Sequence, residues 1–565
     1  MELLSRQTKG KYQDSDLRKK TGSHYTPTPL ADFLTQRILL NYDLKNRSEV
    51  SIFDPAVGDG ELLLSLAQEL LRRGVMKVIV AGSDINGDAL KLAEERLSEL
   101  GVQVEIDLKQ RDFTETLEAP NLFSFGQDQT YDLIIANPPY VRTQALGSKH
   151  SSKLSRDFSL DGRIDLYYVF LLGIKKFMHS ETVAGFIVSN RFMTTKAGAS
   201  VRSGLWNQYQ LHEVWDLGDS KIFEASVLPA VLVFSEKNQK EQKAPIFTSM
   251  YTSSQTLEES KSAPLFDALL EGSGVFIDEE GVGFEVKKGH LKVPEKLGDV
   301  WRVSNSEIDD WFQTVKAHTQ CFFGDLGKIR VGVKTTADKI FIRTDWSSEE
   351  LCPEAELLKP LITHHCANRY KQAEENPRKI LYPHAFSEGQ KTTVDLTQYP
   401  RALQYLEKYR SQLEARDYLI EAGRNWFELW VAQEPALWQK PKMVFRDICD
   451  KPTFWLDESG AIVNGDCYWL TLFEGMSEDY LWLAVAVANS SFIESYYDHR
   501  FNNKLYAGRR RFMTQYVEQF PIPKLSPEQK TEILTLVKSI AQNIPADTAQ
   551  DEARLDALIW QAFGL

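Results

Sequence analysis

The sharpest chemistry in this 565-residue sequence lies at Asn137-Pro138-Pro139-Tyr140, directly after the apolar run Asp132-Leu133-Ile134-Ile135-Ala136. Two successive prolines fix φ and remove two backbone donors, so the turn presents carbonyl acceptors rather than N–H groups. The Asn137 side-chain oxygen and the Pro138 carbonyl are suited to grip both hydrogens of a planar amino group, and Tyr140 offers a face to the ring that carries it. An exocyclic amine on a conjugated ring is a poor nucleophile because its lone pair is delocalised. Holding both hydrogens out of the ring plane, with the nitrogen lined up on an electrophilic methyl, favours direct displacement.

Upstream lies a candidate cofactor loop, Asp54-Pro55-Ala56-Val57-Gly58-Asp59-Gly60, between a strand-like run and a helical one. Glycines in such a place allow a tight turn and let a ligand approach the backbone closely. Asp84 follows 24 residues beyond Gly60 at the end of a second apolar run, where an acid can accept the hydroxyls of a ribose. Arg111-Asp112-Phe113 follows a third run, pairing an acceptor with an aromatic face for an adenine ring. The loop carries no Walker lysine, and Asp54 and Asp59 would repel a pyrophosphate. S-adenosylmethionine, with its ammonium and sulfonium, fits these acids better than NAD or ATP.

These residues need strands to carry them. Strand-like runs occur at 49–54, 77–84, 102–107, 130–136, 184–189, 211–217 and 228–234, and helical spacing at 60–73, 87–100 and 163–178. Strands alternating with helices predict an α/β domain with a mostly parallel sheet covered on both faces, and its last strands, without long helices between them, an antiparallel far edge. The composition turns polar from 236 to 262, which reads as a boundary. Beyond it the spacing predicts strands at 328–333, 339–343, 443–447 and 461–470, and helices at 479–497 and 527–543. The expected division is a catalytic domain over 1–240, a connecting segment over 241–310, a mixed α/β domain over 311–525 and a helical extension over 526–565.

Composition excludes other classes. Hydrophobic content of 42% and charged content of 26% belong to a folded globular protein. No apolar run is long enough to span a membrane, and the polar first twenty residues hold no signal-peptide core. Five scattered cysteines, none in a CxxC pair, fit a reducing cytoplasm better than a disulfide framework or a zinc knuckle. A net charge of −13 argues against indiscriminate nucleic-acid coating but permits a basic cleft on an acidic body. His364-His365-Cys366 has no further ligands at suitable spacing, so no metal is expected.

In this order along the chain, the motifs resemble those of the gamma-class DNA amino-methyltransferases of the TaqI type. Thr21-Gly22-Ser23-His24-Tyr25-Thr26-Pro27 resembles the family's N-terminal cofactor element, and Asp54 to Gly60 its methionine-binding loop. Asp84-Ile85 resembles the ribose-binding pair, Asp112-Phe113 the adenine contact, and Asn137-Pro138-Pro139-Tyr140 the catalytic motif that bonds and stacks a flipped target base. Gly162-Arg163-Ile164-Asp165-Leu166-Tyr167 resembles the helix start that follows. The resemblance implies a Rossmann-like, S-adenosylmethionine-dependent methyltransferase domain with a seven-stranded sheet. It assigns cofactor binding to Tyr25, Thr26, Pro27, Asp54, Ala56, Gly58, Gly60, Asp84, Ile85, Asp112, Phe113, Asn137 and Pro139, and catalysis to Asn137, Pro138 and Tyr140. The family often adds a second aromatic after the fifth strand; Phe192 is the aromatic in that region here, and it fits a core position at least as well.

The C-terminal half resembles the specificity domains of these enzymes through Gly327 to Lys339, Leu358-Lys359-Pro360-Leu361, Ala488-Asn489-Ser490-Ser491 and the stretch from Lys504 to Pro523. Lys328, Arg330, Lys334, Lys339, Lys504, Arg509, Arg510 and Arg511 are candidates for DNA phosphate contacts. The expectation is adenine-N6 methylation of duplex DNA by a cytoplasmic monomer of a restriction–modification system, with a separate cognate endonuclease as a potential partner. Cytosine-N4 methylation, or a cofactor-binding DNA-recognition subunit of a defence complex, is the alternative. With no cysteine before Cys321, the chain does not fit carbon methylation of cytosine, which needs a cysteine nucleophile beside the proline motif.

Overall fold

The computed structural model describes residues 26–565 apart from 46, 119–128, 142–147, 163, 221, 223–227, 238–243, 254–259, 374–377, 388, 502–508 and 545–546. The chain forms two compact units, one reaching Asn305 and one beginning at Ser306.

The first unit is built on strands β1 (Glu49–Asp54), β2 (Lys77–Asp84), β3 (Val104–Gln110), β4 (Tyr131–Ala136), β5 (Met178–Ser189), β6 (Tyr209–Asp216), β7 (Pro229–Glu236) and β8 (Ile246–Thr252). Their order in the sheet is β3-β2-β1-β4-β5-β7-β6-β8, continued by Gly283–Leu291, Gly274–Ile277 and Lys261–Ser262. β1 pairs in parallel with β2, from Glu49 opposite Lys77 to Asp54 opposite Gly82, and with β4 at Ile52 opposite Leu133. β4 pairs in parallel with β5, whereas β7 runs antiparallel to both β5 and β6. The antiparallel far edge therefore begins with β7, but it does not end the sheet. The polar stretch read as a boundary contains β8, which pairs in parallel with β6, and with Val303–Ser304 beside Gly283–Leu291 the sheet counts twelve strands among the described residues, against the expected seven. Polar residues at 236–262 misled because the buried part of that stretch is short: Phe247 to Tyr251 are buried within it.

The helices follow their apolar spacing. In α2 (Glu61–Arg72), Leu62, Leu63, Leu66, Ala67 and Leu70 are buried. Gly60 caps this helix at φ +81°, and a Cβ there would lie 2.8 Å from the Cβ of Ala93, so only glycine fits. In α3 (Gly87–Ser98), the Asn86 side chain caps the start by accepting from the N–H groups of Asp88 and Ala89. The helix expected over 163–178 is shorter, Leu166–Gly173, and passes into a 3₁₀ turn. Helix α1 (Thr28–Leu40) is held to the sheet by Arg37, whose guanidinium forks onto Glu213 of β6 at 2.7 Å on each arm.

In the second unit, Gly327–Val331, Cys467–Leu472, Lys442–Arg446 and Phe454–Asp457 form a four-stranded antiparallel sheet in that order. Alternation along one strand assigns its two faces. Met443 and Phe445 join a core shared with helices Asp479–Ala488, Ser491–Arg500, Pro527–Asn543 and Ala549–Ala562, while Val444 joins a second core with Trp438, Trp455 and Trp469. The last two helices are thus part of this core rather than an extension from 526. The helix expected over 479–497 divides at Asn489, whose amide pairs with both backbone groups of Phe454, and Ser490 caps the next helix. Residues 339–341 of the expected strand 339–343 belong instead to a helical turn, Asp338–Phe341. Lys442 and Asp457 make a fully buried ion pair at 2.6 Å.

At the carboxyl ends of β5, β6 and β8, Asn190 donates to Asp216 at 2.8 Å and Tyr251 donates to its other oxygen at 2.8 Å. Burial raises the Asp216 carboxyl to about 6. The native protein then binds more protons than the unfolded chain between about pH 4 and 6, so this group lowers stability as pH rises through that window. In Asp216→Asn that slope should vanish: denaturant titration should show the variant gaining on the wild type between pH 4 and 6.5, by at most about 3 kcal/mol. A difference independent of pH would contradict the assignment.

Candidate functional site

The parallel pairing of β2, β1 and β4 sends the loops after all three strands to one edge. A pocket opens there, lined by Ala56–Asp59 after β1, Asp84–Asn86 after β2, Arg111–Phe113 after β3 and Asn137–Val141 after β4.

The β1 loop is tied down from both sides. Asp54 is fully buried, and its Oδ1 accepts the N–H of Ala56 at 2.8 Å. Burial, reinforced by Asp84, pushes its carboxyl well above the usual range. Gly58 donates its N–H to Asp84 at 2.9 Å, and Asn86 donates to the other Asp84 oxygen at 2.8 Å. Asp84 therefore joins the ends of β1 and β2 while facing the pocket. Asp59 and Glu61 pair with Arg96, so Asp59 contributes less free negative charge than its place in the loop suggests.

On the β3 side, Asp112 caps the short helix Phe113–Glu118 through one oxygen, which accepts from the N–H and hydroxyl of Thr114 at 2.8 Å each. Phe113 is almost wholly buried, packed against Phe170 at 4.8 Å and Phe177 at 5.5 Å, yet it reaches the pocket wall.

Asn137 and Tyr140 face the same pocket as Asp84 and Asp112. The Asn137 amide nitrogen donates to the Thr26 hydroxyl at 3.0 Å, and the Tyr140 hydroxyl donates to the Asn137 oxygen at 2.7 Å. Tyr140 packs edge-on to Tyr167 at 6.0 Å, and burial raises its phenol strongly.

Most of the residues expected from sequence converge here: Thr26, Ala56, Gly58, Asp84, Ile85, Asp112, Phe113, Asn137, Pro138, Pro139 and Tyr140 all line the pocket. Pro27, Asp54 and Gly60 stand behind its walls, as helix start, buried loop anchor and helix cap. Tyr25 lies outside the described residues. Leu62, Ala89 and Phe170 also line the pocket. Sequence reasoning missed them because they read as core positions of amphipathic helices. Phe192, the candidate for a second stacking face, is fully buried and lies edge-on to Trp301 at 5.2 Å, a core position in this structure.

In the second unit the basic candidates separate. Lys328, Lys334, Lys339 and Arg509 are exposed. Arg330 lies over the Trp469 ring at 5.2 Å and donates to Thr471 at 2.9 Å. Arg510 and Arg511 are engaged in internal ion pairs: Arg510 forks onto Asp498 at 2.8 Å and reaches Glu494 at 3.1 Å, and Arg511 pairs with Asp447 at 3.1 Å. Lys504 lies outside the described residues. His364 Nδ1 bonds Asp466 at 2.5 Å.

Comparison with known proteins matches residues 61–223 to the family Eco57I restriction-modification methylase and residues 365–522 to the TaqI-like C-terminal specificity domain. The type II methyltransferase M.BanIII of Aneurinibacillus aneurinilyticus is 37% identical, covering 97% of this chain and 98% of its own. M.PaeR7I of Pseudomonas aeruginosa is 24% identical, with coverage of 89% and 86%. Among solved structures, the type IIL restriction-modification enzyme MmeI, determined in complex with DNA, shares the fold at a TM-score of 0.62 and 13% identity, over 98% of this chain and 77% of that one.

The arginine pairing generates a test. Arg510→Ala removes the guanidinium that pairs with Asp498 and Glu494 in a half-buried position, and should destabilise the second unit by about 2–4 kcal/mol. Thermal unfolding should show this as a fall in Tm of roughly 5–10 °C, and an unchanged Tm would mean the fork is not holding the unit together.

Proposed function

This chain belongs to the type II methyltransferases of restriction–modification systems, and on that premise we propose that it transfers a methyl group from S-adenosylmethionine to N6 of an adenine turned out of duplex DNA. The observation that carries the reading is the meeting of Asn137 and Tyr140 with Asp84, Asp112 and Phe113 in one pocket.

The donors and acceptors around the pocket fit the cofactor. Asp84 has both oxygens anchored by backbone N–H groups and keeps lone pairs for ribose hydroxyls. Asp112 caps its helix with one oxygen and leaves the other for an adenine amine, beside the apolar walls of Ile85 and Phe113. When bound, S-adenosylmethionine supplies a methyl group on a cationic sulfur. The chain's own residues do the rest. Asn137 and the Pro138 carbonyl accept the two hydrogens of the target amine and orient its lone pair, and Tyr140 stacks on the base. The Asn137 oxygen and the Pro138 carbonyl hold the two amine hydrogens, one of which would be lost as a proton to solvent, while the amine nitrogen takes the methyl and the cofactor leaves as the neutral thioether S-adenosylhomocysteine. Asparagine rather than serine ahead of Pro138-Pro139 favours adenine over cytosine N4. Lys328, Lys334, Lys339 and Arg509 remain candidates for phosphate contacts.

The direct test is to methylate plasmid DNA with purified protein and S-adenosylmethionine and then sequence modified bases. N6-methyladenine at one recurring site is expected; N4-methylcytosine there would overturn the base assignment, and an unmodified plasmid the reading itself. Asn137→Ala should cut transfer at least about 100-fold while calorimetry shows cofactor affinity within about threefold of wild type. Asp84→Ala should do the reverse, weakening cofactor binding by about 10–100-fold through loss of charge-assisted bonds; unchanged affinity would remove Asp84 from the site.

A further inference from the structure

A carboxamide has two ends of nearly equal shape and opposite hydrogen-bonding sense. Asn137 serves an amine only when its oxygen faces the pocket; turned by 180° it would present N–H groups to N–H groups. A residue that helps to hold this orientation therefore contributes to the reaction through Asn137.

Two hydroxyls hold the amide. The Asn137 nitrogen donates to Thr26 Oγ1 at 3.0 Å, and the Asn137 oxygen accepts from the Tyr140 hydroxyl at 2.7 Å. They are not equivalent. Tyr140 takes one of the two lone pairs of the oxygen that a substrate amine must use, and because the same residue is read as the one that stacks on the base, its bond is exchanged when the base arrives. The Thr26 bond lies at the other end of the amide and persists through that exchange. Thr26 is well placed to act as a fixed point: it precedes Pro27 and α1, and the neighbouring Thr28 hydroxyl donates to Glu61 of α2 at 2.5 Å.

We propose that Thr26 is a positioning residue for methyl transfer: its hydroxyl oxygen holds the Asn137 nitrogen and so keeps the Asn137 oxygen turned toward the target amine, while the Tyr140 hydroxyl stands in for that amine until it arrives. This rests on the reading of Asn137 as the amine acceptor, and assigns Thr26 a role distinct from the cofactor contact expected of its segment.

The test compares Thr26→Val, which keeps the shape and removes the acceptor, with Thr26→Ser, which keeps the oxygen. Methylation at saturating cofactor and DNA, and cofactor affinity by calorimetry, are measured on the full-length protein. Thr26→Val should lower kcat at least about tenfold with cofactor affinity within about threefold, and Thr26→Ser should recover kcat to within about threefold of wild type. An unchanged kcat in Thr26→Val, a loss confined to cofactor affinity, or a serine variant as poor as valine would overturn the assignment while leaving adenine methylation by the wild type intact. A wild type that places no methyl on DNA would overturn the functional reading, and this inference with it.

Discussion

Strand β1 is flanked on both sides by parallel partners, and nearly everything at the candidate site depends on that constraint. Parallel neighbours end at the same edge of a sheet, so chain segments separated by some eighty residues deliver their loops to one place. The Gly58 N–H to Asp84 bond then ties the first of these loops to the end of the second strand. Without that tie the glycines would leave the loop wide conformational freedom. With it, the acid facing the pocket also sets the shape of the loop beside it, and binding geometry and local rigidity come from one carboxylate.

Charge is used differently in the two units. Around the pocket, carboxylates are kept near a ligand-sized space, and the one that would be most costly to bury as an anion, Asp54, is pushed toward its neutral form. In the second unit, several buried or half-buried cations are paired with carboxylates: Lys442 with Asp457, Arg510 with Asp498 and Glu494, Arg511 with Asp447. An arginine-rich stretch in the sequence, Gly508-Arg509-Arg510-Arg511, thus holds two structural cations beside one that is exposed.

The first unit was more legible than the second for a physical reason. A parallel strand buried on both faces reads as a short apolar run, and β1 and β2 coincide with the runs at 49–54 and 77–84 residue for residue. Loops at the ends of such strands carry their chemistry in contiguous motifs, so Asp54 to Gly60 and Asn137 to Tyr140 could be read directly. What a motif does not carry is its partner across the fold. Thr26 against Asn137 and Trp301 against Phe192 depend on tertiary approach over more than a hundred residues. In the second unit, strands of four to six residues and helices interrupted by side-chain bonds such as that of Asn489 leave little periodicity to read. The sign of a residue's charge was legible there, while whether that charge faces solvent or a carboxylate was not.

The continuation of the sheet beyond β7 has a consequence for handling the protein in pieces. Between β7 and the hairpin strand Gly283–Leu291, β6 and β8 pair in parallel from Glu213 opposite Ile246 to Asp216 opposite Ser249. A fragment trimmed where the composition turns polar, near residue 240, would lose β8 and bare one flank of β6, a row of amides and carbonyls flanked by buried side chains. Such an open edge is adhesive to any other strand, so the fragment would tend to clump with copies of itself. The natural seam for dissecting this molecule is at Asn305, some sixty-five residues beyond the one that its hydrophilicity advertises.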